Sequence, residues 1–367
     1  MHGISGGIVT IALWTQPLLD WYRANRRDLP WRETIDPYRV WVSEIMLQQT
    51  RVDTVIPYYH RFLERFPSIA DLADADLGAV LKHWEGLGYY ARARNLHRAA
   101  KVVMLDLNGQ IPDRFCELRK LPGLGEYTAA AVASIAFCEP VPVIDGNVLR
   151  VVSRLVAITD EIRSGPARKK LRNCLENAMD SQAPGEFNQA MMELGAVICS
   201  PRAPQCPECP LRTFCEARNS GRTTEFPVKK PRRIIPHHQV VVGLIRDEAG
   251  RYLITRRPEN VMLGGLWEFP GGKAEAGEAL KDALRRELRE ELGVEVGQLA
   301  AREPVEHAYS HFSITLTPFD CVILSGVPRP HSATDMRWVA VDEFAKFAFP
   351  KATLKVMEGM GRGLQRC

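Results

Sequence analysis

The sequence predicts a chain in two parts: an all-α first part and a smaller α+β second part. Three observations carry this. From Leu13 to about Ala217 apolar residues recur at three- and four-residue spacing, in segments punctuated by Pro, Gly and Asp. The stretch GRTTEFPVKKPRRIIPHH, Gly221 to His238, has no apolar period and holds three prolines and five Lys/Arg against one Glu. Beyond it the period falls to two. A length of 367 residues also exceeds one ordinary core. The expected boundaries are therefore a domain over 1–220, a linker over 221–238 and a second domain over 239–367.

In the first part, Asp36-Pro37 reads as an N-cap followed by proline at the first helical position. Asp71, Asp113 and Asp145 precede or open further helical runs. In the second part, QVVVGLIRD and RYLITRR read as strands joined by the turn EAG. A helix over about Leu280 to Leu292 follows, then SITLTPFDCVIL as further strand, then a last helix near Asp342 to Phe347.

Hydrophobic residues make up 46% and charged residues 25%, the composition of an ordinary globular protein. No apolar run approaches the ~18 residues of a membrane span. The N-terminal GGIVTIALW is short and lacks a basic flank, so it is not read as a signal peptide. A net charge of +4 permits a nucleic-acid partner without pointing to one. Of nine cysteines, four cluster between Cys199 and Cys215 and the rest are scattered singly. That pattern argues against a disulfide scaffold and for a metal or cluster site in a reducing compartment.

The cluster is Cys199, Cys206, Cys209 and Cys215, spaced C-x6-C-x2-C-x5-C. Zinc and [4Fe–4S] both remain open on spacing alone. LPGLGEYTAAAVASIAF, Leu121 to Phe137, sets Gly123 and Gly125 between two amphipathic helices. Glycines there let a backbone approach closely and leave N–H groups facing out at a helix start, which suits a phosphate; an ordinary helix–helix turn is the alternative. Two carboxylates then stand apart in environment. Glu44 has Val40, Trp41, Leu47 and Gln48 at helical neighbour positions, so desolvation should favour its neutral acid. Asp145 sits just before a helix beginning near Asn147, where exposed N–H groups favour the anion. One neutral acid and one anion are what cutting a glycosidic bond requires.

SEIMLQQT, LPGLGEYTA, PVIDGNVLRV and the four-cysteine loop, in that order, resemble the helix–hairpin–helix DNA glycosylases, and within them the adenine DNA glycosylase family. The resemblance runs from about Leu13 into the second domain. It implies a [4Fe–4S] cluster on the four cysteines and a duplex DNA substrate carrying 8-oxoguanine:A or G:A mispairs. It also implies a monomer without membrane attachment, cytoplasmic and nucleoid-associated if bacterial. Tyr127 stands where the related endonuclease III group has a nucleophilic lysine. A Schiff base is then unavailable, and a monofunctional glycosylase is expected.

Carried over, Glu44 protonates adenine and later assists water, Asp145 stabilises the sugar cation, and Tyr127 and Asn147 hold the pair. Arg27, Leu29, Trp31, Arg32 and Gln189 line the adenine pocket. Gln49, Thr50, Leu87 and Tyr89 enter the duplex, since a base must be extruded before it is cut and the gap filled. Tyr309, Ser310 and His311 resemble the loop that reads 8-oxoguanine. The second domain resembles a Nudix fold, and here the full signature G-x5-E-x7-R-E-U-x-E-E-x-G-U (U apolar) runs from Gly272 to Val294. Glu287, Glu290 and Glu291 share one helix face and could bind Mg²⁺ if the box is active, making 8-oxo-dGTP hydrolysis the alternative or additional activity.

Overall fold

A computed structural model describes residues 13–230 and 235–364. Most of the N-terminal stretch and four residues of the expected linker lie outside the described residues. The helices in chain order are α1 (Thr15–Asn25), α2 (Pro37–Leu47), α3 (Val52–Arg65), α4 (Ile69–Asp74), α5 (Leu77–Trp84), α6 (Ala91–Asp106) and α7 (Phe115–Leu118). Then come α8 (Glu126–Phe137), α9 (Gly146–Leu155), α10 (Gly165–Ala178), α11 (Pro184–Val197), α12 (Glu216–Asn219), α13 (Leu280–Leu292) and α14 (Lys351–Leu364). None of the described helices is long and apolar enough to cross a membrane.

The chain divides into two compact units that do not follow sequence order. One comprises Met1–Ala73 with Arg98–Arg232; the other comprises Asp74–His97 with Arg233–Cys367. The first unit is helical. Leu18, Leu19 and Tyr22 of α1 share a buried cluster with Val148 and Val152 of α9, and with Phe187, Met191 and Leu194 of α11. Local chemistry sets the helix starts. The Asp36 carboxylate accepts from Arg39 N at 2.8 Å ahead of Pro37, as the sequence requires. Asp71 lies inside α4, where its carboxylate bonds Ser68, and α7 starts after Arg114 without a side-chain cap.

The second unit is built on two sheets. β1 (His237–Ile245), β4 (Glu295–Ala301), β5 (Val305–Ala308) and β6 (Ser313–Ser325) form one, with β1 parallel to β6 over nine residues. β2 (Tyr252–Arg256), β3 (Trp267–Glu268) and β7 (Asp335–Val339) form the other, antiparallel, in the order β3-β2-β7. The strands on either side of EAG are thus not a paired hairpin. β1 goes to β6 and β2 to β3 and β7, and a single bridge, Arg246–Tyr252, joins the turn. The apolar run VVVGLI buries both faces of β1 and suits an interior parallel position. The expected last helix is a short 3-10 turn, Val341–Lys346, and the full helix α14 follows Pro350.

Candidate active site and its surroundings

The 27–32 segment, α2, the start of α3, α8, the start of α9, and α11 of the first unit line one cavity of ≈ 160 Å³. Its lining includes Glu44, Tyr127, Asp145 and Asn147, and also Arg27, Leu29, Trp31, Arg32, Thr50 and Gln189. Every residue the sequence assigned to catalysis or to the base pocket therefore meets in one place.

Glu44 is 4% exposed. Burial pushes its carboxyl up to about 7, with the Asp145 charge adding to the rise; Tyr127 and Arg32 oppose it. The Tyr127 hydroxyl donates to Glu44 Oε2 at 2.5 Å, and burial raises that phenol well above its ordinary value, so it remains a donor. Asp145 caps α9. Its Oδ1 accepts from Asn147 N at 2.9 Å and Val148 N at 2.7 Å, and its Oδ2 from Asn147 Nδ2 at 3.0 Å. The sequence expectation needs one correction here. Capping was expected to favour the anion outright, yet Asp145 is also raised, because burial outweighs the three hydrogen bonds and Arg150. Burial raises both carboxyls, but Asp145 keeps three hydrogen-bond donors on its oxygens, so Glu44, pushed up to about 7, is the member suited to carry the proton.

Asn147 is itself held. Arg150 Nη2 donates to Asn147 Oδ1 at 2.8 Å and to Gly195 O at 2.7 Å, and Arg150 Nε donates to Cys199 O at 2.7 Å. Gly195 is needed for this approach: a Cβ there would stand 2.5 Å from Asn147 Cβ.

Glu193 of α11 was missed by the sequence reading. It lines the cavity, its side chain is 1% exposed, and it pairs with Arg27 at 2.7 Å and Arg32 at 2.8 Å. Those contacts hold its carboxyl down at about 2 despite burial. Its position one helical turn after Gln189, among Met191, Met192 and Leu194, was the available signal: the argument applied to Glu44 applies there too. Replacing Glu193 by Ala leaves Arg27 and Arg32 without their buried partner and is expected to destabilise the chain by ~3–5 kcal/mol, read as a lower urea midpoint. Gln189 accepts from the Tyr22 hydroxyl at 3.0 Å.

The hairpin before α8 turns its glycines outward. Gly123 (φ 77°) and Gly125 are exposed, Leu124 is buried between them, and no side chain caps α8. First-turn N–H groups are thus presented to solvent. Gln49 (φ 59°) is exposed and left-handed, a strained conformation for a non-glycine residue.

Cys199, Cys206, Cys209 and Cys215 line one small cavity of ≈ 30 Å³ with Arg154 against it. Arg154 Nη1 lies 3.3 Å from Cys199 Sγ. Among the described residues no three or more His, Cys, Asp or Glu converge on a point that would hold a single metal ion. The four thiols thus share one space, the arrangement a group held by all four requires.

In the second unit, Tyr89 is left-handed (φ 51°) and 42% exposed, and its hydroxyl lies 2.6 Å from Ser310 Oγ. Two residues 221 positions apart, both assigned to the lesion, are therefore hydrogen-bonded. Ser310 and His311 are exposed, while Tyr309 packs on His307 and Phe312. Leu87 is only 5% exposed and is not poised to enter a duplex in this conformation.

The Nudix glutamates do lie on one face of α13, but each has a protein partner. Arg286 bonds Glu278 and Glu287 at 2.9 Å and reaches Glu290 at 3.4 Å. Glu291 accepts from Gly271 N at 3.0 Å, and neighbouring Glu268 is bidentate to Arg257. Among the described residues these carboxylates do not converge on one point, and the sequence left Mg²⁺ here conditional on an active box.

Residues 42–177 match the family model of the HhH-GPD superfamily base excision DNA repair proteins, and 241–359 match that of the NUDIX domain. A thermostable thymine-DNA glycosylase structure superposes with TM-score 0.54 at 28% identity, covering 58% of this chain and 98% of that one. An endonuclease III–DNA covalent intermediate gives 0.50 at 23% identity, over 58% and 98%, and speaks for the fold alone. Fold and cavity together define a helix–hairpin–helix DNA glycosylase of base excision repair, an enzyme hydrolysing N-glycosyl bonds. Within that class the relatives decide. The adenine DNA glycosylase of Homo sapiens is 34% identical over 92% of this chain and 72% of its own length. That of Buchnera aphidicola from Schizaphis graminum is 31% identical over 95% and 99%. The chain belongs to the adenine DNA glycosylase family.

Proposed function

We propose that the chain releases adenine mispaired with 8-oxoguanine, or with guanine, from duplex DNA, without strand cleavage. The carrying observation is the pair in one cavity: Glu44, neutral up to about pH 7, and Asp145, fixed by three hydrogen bonds at a helix start. A flipped adenine enters the cavity beside Trp31, Arg32 and Gln189. Glu44 donates its proton to adenine N7, which makes the base a better leaving group. Asp145 then faces the cationic sugar, and the Glu44 carboxylate takes a proton from the incoming water. Tyr127 fixes the Glu44 carboxyl but offers no amine. The outward N–H groups at Gly125 suit a DNA phosphate, and Gln49 and Tyr89 suit insertion into the stack.

Ser310, joined to Tyr89, suits contact with 8-oxoguanine opposite the adenine. We assign a [4Fe–4S] cluster to Cys199, Cys206, Cys209 and Cys215; when bound it would cross-link the loop and fix its backbone. The chain is read as a cytoplasmic monomer, nucleoid-associated if bacterial. Domain limits of 1–220 and 239–367 remain a reading of the linker, with residues 74–97 grouping with the second unit. The closed Nudix glutamates lend no support to nucleotide hydrolysis.

The test is single-turnover adenine release from duplexes with adenine opposite 8-oxoguanine, guanine or thymine. Release should be fastest with 8-oxoguanine and negligible with thymine. Borohydride should trap no enzyme–DNA adduct. Equal rates opposite all three bases, or a trapped adduct, would contradict the reading.

A further inference from the structure

The loop that presents Tyr89 runs from Gly86 to Tyr89 and is closed on itself by short bonds. Trp84 Nε1 and Arg92 Nη2 each donate to Gly88 O at 3.1 Å, and the Arg92 guanidinium lies over both the Trp84 and Tyr89 rings. The residues flanking the loop are then fastened to one distant point. Glu85 Oε1 accepts from Phe349 N at 2.8 Å. On the other side, the Tyr90 hydroxyl accepts from Gly86 N at 3.2 Å and donates to Phe349 O at 3.1 Å. Both main-chain groups of Phe349 are thus used, one by each arm of the loop. Lys82 tightens the same clasp, pairing with Glu85 at 2.6 Å and donating to Phe347 O at 2.9 Å.

The anchor is rigid. The Phe349 ring is 1% exposed and packs within the aromatic and aliphatic cluster of Phe269, Phe344 and Val356. The loop it serves is strained at Tyr89, a non-glycine residue in the left-handed region at φ 51°, while Gly86 and Gly88 take their φ of 93° and 77° freely. A strained conformation persists only where its surroundings over-determine it. We propose that Phe349, through Glu85 and Tyr90, is a main-chain staple that sets the position of Tyr89 against Ser310, and so sets discrimination for 8-oxoguanine. Glu85 and Tyr90 are positioning residues; neither lines the adenine cavity. The inference rests on the reading above that Tyr89 and Ser310 meet the base opposite adenine.

The experiment compares full-length wild type, Tyr90→Phe, Glu85→Gln and Glu85→Ala on duplexes with adenine opposite 8-oxoguanine or guanine. Tyr90→Phe keeps the ring and deletes only the bridging hydroxyl. Glu85→Gln keeps an oxygen acceptor for Phe349 N, whereas Glu85→Ala does not. Tyr90→Phe and Glu85→Ala are expected to lower the 8-oxoguanine-to-guanine rate ratio about tenfold each, from loss of a buried bond at a strained loop. The guanine rate should stay within about twofold of wild type, and Glu85→Gln should restore most of the ratio. An unchanged ratio in Tyr90→Phe and Glu85→Ala, or equal slowing on both substrates, overturns the staple. Absence of any preference in the wild type overturns the underlying reading and the staple with it, and is distinguished by that control alone.

Discussion

Glu44→Gln is expected to abolish adenine release, by about 10²–10⁴-fold, because the amide cannot supply the proton the leaving base needs. Asp145→Asn should fail comparably while folding normally, since the amide oxygen can still accept from Asn147 N and Val148 N at the start of α9. The pH dependence follows from the groups around Glu44: Tyr127 from α8, Asp145 ahead of α9, Arg32 from the turn before α2, and the Arg27–Glu193 pair farther round the cavity. Burial raises Glu44 to about 7, and the neutral form is the donor. Single-turnover rates should fall about tenfold per pH unit above that value, and fall again at acid pH where Asp145 takes up a proton. A rate still rising at pH 9 would remove Glu44 from the acid role.

The same shift gives stability a pH dependence of the same sign as that of activity. A carboxyl raised in the folded chain holds its proton more tightly there than when unfolded, so its contribution is favourable at low pH and is lost as pH rises from about 4.5 to about 7. Gln at this position does not titrate. Glu44→Gln should therefore exceed wild type in stability by up to about 3 kcal/mol at pH 8, the difference shrinking toward pH 5. A catalytic acid held neutral by burial is a local stability sacrifice of the kind active sites often show.

What the sequence revealed and what it hid divide by the kind of signal each residue carries. Glu44, Asp145, the glycine hairpin and the four cysteines sit in contiguous motifs whose spacing constrains their chemistry. The cavity gathers residues from 27 to 196, and those the sequence assigned to it each lay inside a recognisable segment. Glu193 was hidden because its meaning lies in partners more than 160 positions away, Arg27 and Arg32. The pairing of Tyr89 with Ser310 was hidden for the same reason. So was the grouping of residues 74–97 with the second unit, which reverses chain order. The two strands flanking EAG were legible, but alternation reveals a strand and not its neighbour. A short turn favours a hairpin, yet here the long parallel pairing of β1 with β6 prevails. The Nudix box shows the converse: a complete motif in which Arg286 holds Glu278, Glu287 and Glu290 in ion pairs and Glu291 accepts from Gly271 N.

Arg150→Gln is a third substitution expected to disable the enzyme, though Arg150 is absent from the cavity lining. Its guanidinium ties three things: Asn147, the Gly195 backbone of α11, and the carbonyl of Cys199. Asn147 in turn holds Asp145 Oδ2, so Arg150 fixes the proposed anion at one remove and the first of the four clustered cysteines at the same time. Glutamine is too short to span these points and leaves two backbone carbonyls without their donor. A loss of about 10–100-fold in adenine release is expected, the usual scale for removing a partner that orients a functional ligand. Arg154 separates the two duties. It contacts Cys199 Sγ and the Ser200 and Pro201 carbonyls but makes no bond to Asn147 or Asp145 among those described. Arg154→Gln should therefore lower iron content and leave the rate per iron-loaded molecule near wild type. Arg150→Gln should lower that normalised rate itself. Iron analysis with single-turnover kinetics on both variants checks the distinction; equal normalised rates for the two would show that Arg150 serves the cysteine loop only.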